Sequence, residues 1–135
     1  MDSASGSKEI IDQYENDHFS FQLIEFDDKI ILNVMINGIV DTTLDIPMPT
    51  QSHINDPLQD EQSLGVEPVV LLGDPHNIKI QVVASQIGKV VQLSRRPRNI
   101  ILSIASRYFG KGDVTQDGDF EKVMFVVQHV KELLS

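Results

Sequence analysis

From Lys29 to Pro47 one parity of positions is apolar throughout, and this dictates the backbone. Ile30, Leu32, Val34 and Ile36 come first, Asn37-Gly38 interrupts, and Val40, Thr42, Leu44 and Ile46 resume the pattern. A period of two puts alternate side chains on opposite faces of a strand, and a slip of one residue turns the whole apolar set to solvent. Asn-Gly between two such runs is a hairpin signal, because a type I′ turn needs positive φ at both central positions. Upstream, Phe19, Phe21 and Leu23 alternate with Ser20 and Gln22, and Asp27-Asp28 suits the connecting turn. The expectation is a meander of three antiparallel strands.

A second apolar block runs from Val69 to Arg107. Val69–Leu72 fits a central strand. Gly73 follows, then Asp74-Pro75, an N-cap residue with proline at the first helical position. Ile80, Val83, Ala84, Ile87, Val90 and Val91 form a helical stripe. Gly88 costs that helix about 1 kcal/mol relative to alanine. Arg95 and Arg96 suit its last turn, and Pro97 stops it. Asn99–Ser106 is a strand with Ile100, Leu102 and Ile104 on one face. After a turn-rich loop from Gly110, Asp117 or Asp119 caps a final helix with stripe Phe120, Val123, Met124, Val127, Val130 or Lys131, and Leu134. The link from Val69–Leu72 to Asn99–Ser106 fits either a parallel crossover or an antiparallel return.

This order predicts an α+β fold, a mostly antiparallel β-sheet packed with two α-helices. The 135 residues make one domain, 18–135, behind an acidic tail at 1–17 that is expected to be flexible. Residues 47–65, polar and with three prolines, are expected to form a long mobile loop.

Charge narrows the partners. The net charge of −9 argues against nucleic acid. It is unevenly placed: residues 1–75 carry 15 acidic and two basic side chains, residues 76–135 five acidic and nine basic. No apolar run approaches the roughly 20 residues of a membrane span. The N-terminus lacks the look of a secretory or transit signal, so a cytoplasmic, or also nuclear, location is expected. Cysteine is absent, which excludes disulfides and thiolate metal sites.

No motif converges on chemistry. His18, His53, His76 and His129 lie in separate segments without metal spacing, and surface or capping roles are expected for them. The acidic groups Asp56, Asp60, Glu61 and Asp113, Asp117, Asp119 lack the ligand order of a calcium loop. Gly73 before a helix stands alone, without a phosphate-binding glycine motif. There is no Gly-x-Ser-x-Gly elbow. No catalytic, metal or cofactor site is expected.

The strands point elsewhere. Ile31, Met35, Val70 or Leu72, and Ile101 fall opposite the faces assigned to the helices, where a sheet covered on one side should be polar. Either a second subunit covers that face, or one helix lies on each side. Arg95, Arg96 and Arg98 form a basic cluster that fits a helix end or a rim contact to an acidic surface.

From Phe19 to Leu134 the chain resembles the proteasome assembly chaperone 3 family. The resemblance rests on the hairpin Ile30–Ile46 ending at Pro47, the strand closing on Val70-Leu71-Leu72-Gly73, the helix to about Ser94, the strand Ile100–Ala105 and the last helix. It implies a non-catalytic protein that pairs with a sister chaperone of the proteasome assembly chaperone 4 type through apolar sheet surfaces. It also implies that the pair binds an α-type subunit of the 20S proteasome, promotes α-ring formation and departs before maturation. The second sheet face is then available for dimerisation. Ile31, Met35, Val70 and Ile101, with Leu72, are the expected pairing residues, and Arg95, Arg96 and Arg98 the expected contacts to the α-subunit. Self-pairing into a homodimer when alone is left open, and a small adaptor module in signalling or trafficking is the alternative class.

Overall fold

A computed structural model describes residues 6–48, 67–111 and 115–135. Six strands form one sheet: β1 (Gly6–Tyr14), β2 (Asp17–Glu25), β3 (Lys29–Ile36), β4 (Thr42–Ile46), β5 (Val69–Leu72) and β6 (Asn99–Ile104). The described residues also form two helices, α1 (Ile78–Gln92) and α2 (Asp119–Leu134), and a short 3₁₀ turn at Ser106–Tyr108. The order in the sheet is β1-β2-β3-β6-β4-β5. Only β3 and β6 pair in parallel; the other neighbours are antiparallel. The architecture is the expected α+β fold.

The core follows from the alternation. Leu23, Leu32, Leu102 and Leu44 are direct partners across four strands and are all buried. The rows beside them contain Phe21, Val34 and Ile104 on one side, and Ile30, Ile100 and Ile46 on the other. On α1, Ile80, Val83, Ala84, Ile87 and Val91 are buried, as the stripe predicts, and Val90 is half-buried. Both helices lie on this one face and pack on each other. One helix on each side is therefore not the arrangement, and the opposite sheet face has no covering layer within the described residues.

Several expectations are corrected. Asn37 and Gly38 do have positive φ, 54° and 75°, but the hairpin closes with a single bridge, Ile36 to Ile39. The strands then part and β6 enters between them, so the three-stranded meander does not form. Its run Asn-Ile-Ile-Leu-Ser-Ile is apolar enough to hold the position between β3 and β4. Because β5 and β6 are both antiparallel to β4, they run parallel to each other, which settles the crossover question.

Residues 6–14, read as tail, form the edge strand β1, paired with β2 along its whole length. Their inward positions are Lys8, Ile10, Asp12 and Tyr14, a mixed set that hides the alternation. The loop assigned to 47–65 lies almost wholly outside the described residues. Asn77, not Asp74, caps α1, its side chain accepting the Ile80 N–H at 3.1 Å. Asp74 instead accepts the His76 N–H, and Pro75 precedes the helix. Gly118 occupies the N-cap of α2 with φ 88°, and the Asp119 carboxylate accepts the Gln116 N–H.

The buried face of α2 is rotated from the predicted stripe. Val126, Val127, His129, Val130 and Leu133 are inside, while Phe120 is exposed. An aromatic cluster sets this rotation. The Phe125 ring lies 4.8 Å from both Tyr14 and Phe19, and His129 stacks on Phe21 at 4.8 Å.

Candidate partner-binding surfaces

Strand register assembles the open sheet face row by row. One row runs Ile24, Ile31, Ile101, Asp45, Val69 across β2, β3, β6, β4 and β5. The next contains Gln22, Asn33, Ser103 and Thr43, flanked by Glu9 on β1 and Leu72 on β5. Its polar groups satisfy one another: Gln22 Nε2 donates to Glu9 Oε2 at 2.8 Å, and the Thr43 and Ser103 hydroxyls are 3.1 Å apart. Ser20 and Met35 pair in the third row. The face is thus an apolar band beside a hydrogen-bonded polar band, with Met35 beyond it.

The expected pairing residues are distributed as follows. Ile31 and Ile101 are direct partners, half-buried, on the open face. Met35 shares that face but is separated from them by the polar row. Leu72 is also there, paired with Thr43 and largely exposed at the sheet margin. Val70 is not: it pairs with Leu44 and packs against the core. The cause is an irregularity in β5 between the partners of Thr43 and Leu44. One extra residue there moves Val69 and Leu72, three apart in sequence, onto one face.

Two residues escaped the sequence reading. Ile24 sits on the parity of Ser20 and Gln22, so its apolar side chain among polar ones was a usable signal. Val69 carried none, because its face depends on the bulge.

The three arginines do not act together. Arg98 is buried: Nη2 meets Glu25 Oε1 at 2.9 Å and Nη1 donates to the Phe26 carbonyl. It ties the β2–β3 turn to the start of β6 and is removed from the candidate surface. Arg96 is exposed and bonds Asp27. Arg95 alone faces a groove between the helices.

His129, expected at the surface or as a cap, is buried and bonded to Asp12. Among the described residues no group of three or more His, Asp or Glu side chains could hold a metal ion. The carboxylates with shifted titration are structural. Burial raises Asp41, but hydrogen bonds from the Ser106 and Arg107 backbones, the Ser106 side chain and the Thr42 hydroxyl bring it below the ordinary range. Asp119 is held low by the Gln116 N–H and then by Lys79. Burial pushes Tyr108 up to about 12.

The architecture and the sequence have counterparts. A solved structure described as a novel chaperone complex for yeast 20S proteasome assembly shares this fold, with a TM-score of 0.71 at 23% identity. The match covers 96% of this chain and 97% of the other. No curated protein matches. The sequence model for 20S proteasome chaperone assembly proteins 3 and 4 matches residues 1–131, a span that includes all six strands and most of α2. Matched over nearly its whole length, the chain belongs to the family of 20S proteasome chaperone assembly proteins 3 and 4.

Proposed function

We propose that this protein is a non-catalytic half of a heterodimer that promotes α-ring formation in the 20S proteasome. The open sheet face pairs with a sister chaperone of similar fold, and the pair holds an α-type subunit until the ring is built. The observation that carries this reading is the apolar band Ile24–Ile31–Ile101 on a sheet face that no other described residues cover, in a chain of this family. Half-buried isoleucines gain roughly 25 cal/mol for each Å² of apolar surface they lose to a partner. The polar row beside them supplies directional contacts, which favour one partner over others. Release before maturation suits an interface of modest apolar content, and the expected setting is the cytoplasm, with the nucleus also accessible.

The test is co-expression with the sister chaperone and with α-type subunits. Replacing both Ile31 and Ile101 by Asp should abolish pairing while circular dichroism stays native. Tagged wild-type protein purified from its own cells should bring down the sister chaperone and α-subunits without mature β-subunits. Pairing that survives the double substitution rejects the sheet-face assignment. A purification without proteasome subunits rejects the assembly role.

A further inference from the structure

The layer opposite the open sheet face has its own unfilled groove. Lys79 Nζ bonds Asp119 Oδ2 at 3.1 Å, which sets the first turns of α1 and α2 side by side. The helices therefore run in the same direction, and their C-terminal halves flank a groove of about 720 Å³. Val90, Leu93, Met124, Val127 and Leu134 give it an apolar floor. Leu93 is the most exposed large apolar side chain of the described residues, at 87%. Burial of such a residue by a partner is favourable, whereas its exposure in the free chain stabilises nothing.

Lys89, Arg95 and Lys131 border this floor, and no Asp or Glu side chain of the described residues lines it. None of the three cations has an ion pair among the described residues. Two helix C-termini place about half a negative charge each at this end, and the three cations outweigh them. That is the reverse of the chain's net charge of −9. Lys8 approaches the same end from β1, donating to the main-chain oxygens of Leu133 and Ser135.

We propose that this groove docks an acidic amphipathic helical segment of another protein. Two side-by-side helices offer a third helix a ready set of ridges and grooves. The apolar face of the incoming helix seats between Leu93 and Met124, and its flanking carboxylates meet Lys89, Arg95 and Lys131. A nucleic acid fits poorly, because the groove has no aromatic side chain on which a base can stack. The groove and the open sheet face lie on opposite layers, so both can be occupied at once. The proposal stands whether or not the sheet face pairs with a sister chaperone.

The test uses the full chain, labelled with ¹⁵N, and a synthetic helical peptide with leucines on one face and glutamates on both flanks. Expected are amide shifts gathered at Val90, Leu93, Met124 and Val127, with binding that weakens as salt rises. Lys89→Glu, Arg95→Glu and Lys131→Glu together should lower affinity about tenfold or more. Leu93→Ser should also weaken binding, and its exposure keeps the fold intact. A peptide with lysines replacing the glutamates should bind weakly. No shifts at about 1 mM peptide, equal binding of the lysine peptide, or shifts spread over the open sheet face would each overturn the proposal.

Discussion

His129 Nε2 lies 2.8 Å from Asp12 Oδ2 and fastens the edge strand β1 to α2. The other ring nitrogen, Nδ1, is 2.7 Å from the Phe125 carbonyl. Both ring nitrogens thus lie within hydrogen-bond distance of oxygens, one on β1 and one a turn earlier on α2. The Gln13 N–H first, and His129 second, hold the Asp12 carboxyl below the ordinary range. A depressed folded pKa stabilises the fold above the unfolded value, and that share is lost as pH falls through the folded value. With an unfolded value near 3.9, the loss begins at about pH 4 and continues downward. Asp41 and Asp119 are also held low and contribute to the same limb. Asp12→Asn should therefore flatten part of the acid limb, not all of it. Urea midpoints measured from pH 7 to pH 2 check this, and parallel limbs for the two proteins would count against it.

Gly73 has φ of +120°, a conformation closed to most side chains. A β-carbon there would also lie 2.9 Å from Thr42 Oγ1. Gly73→Ala should destabilise by about 1–3 kcal/mol through backbone strain and this contact. Adding Thr42→Ala should relieve the contact without relieving the strain, so only part of the loss returns. Full recovery in denaturant titrations would show that the clash alone matters.

Arg95, Arg96 and Arg98 should separate cleanly by stability. Arg98→Ala removes a buried guanidinium bonded to Glu25 and to the Phe26 carbonyl, and a loss of about 1–3 kcal/mol is expected. The exposed Arg96–Asp27 pair is worth about 0–1 kcal/mol. Arg95→Ala should stay within about 0.5 kcal/mol. Equal losses at Arg95 and Arg98 would contradict the separation.

The same contrast shows what the sequence could reveal. The leucine row was legible because period-two alternation names one face without knowledge of neighbours. The three arginines looked like one cluster because adjacency in sequence does not disclose which carboxylate waits across a turn. The insertion of β6 between β3 and β4 was hidden for a related reason: an Asn-Gly turn fixes its own φ angles, not the pairing three residues on. β1 escaped because its inward positions alternate Ile10 and Tyr14 with Lys8 and Asp12. The two polar side chains find partners on α2 and at its C-cap, at Leu133, His129 and Ser135. The open face was partly legible, since Ile31, Met35 and Ile101 stand on the polar parity. Val70 was misassigned because a bulge changes parity without leaving a mark in an all-apolar run.

That bulge yields a comparison between adjacent residues. Val69 pairs with Asp45 on the open face and is about half exposed, whereas Val70 pairs with Leu44 and packs on the core. Val69→Asp should change stability by about 0.5 kcal/mol or less, as expected at an exposed position. It also sets a carboxylate beside Asp45, at the end of the band that contains Ile101, so the proposed pairing with a sister chaperone should weaken about tenfold. Val70→Asp puts a charge against the core and should cost about 1–3 kcal/mol before any partner is present. Denaturant midpoints of the free chain and affinity for the sister chaperone, measured on both variants, separate the faces. If Val70→Asp were silent and Val69→Asp unfolded the chain, the register of β5 on β4 would be the reverse of the one described, and Val70 would return to the pairing surface.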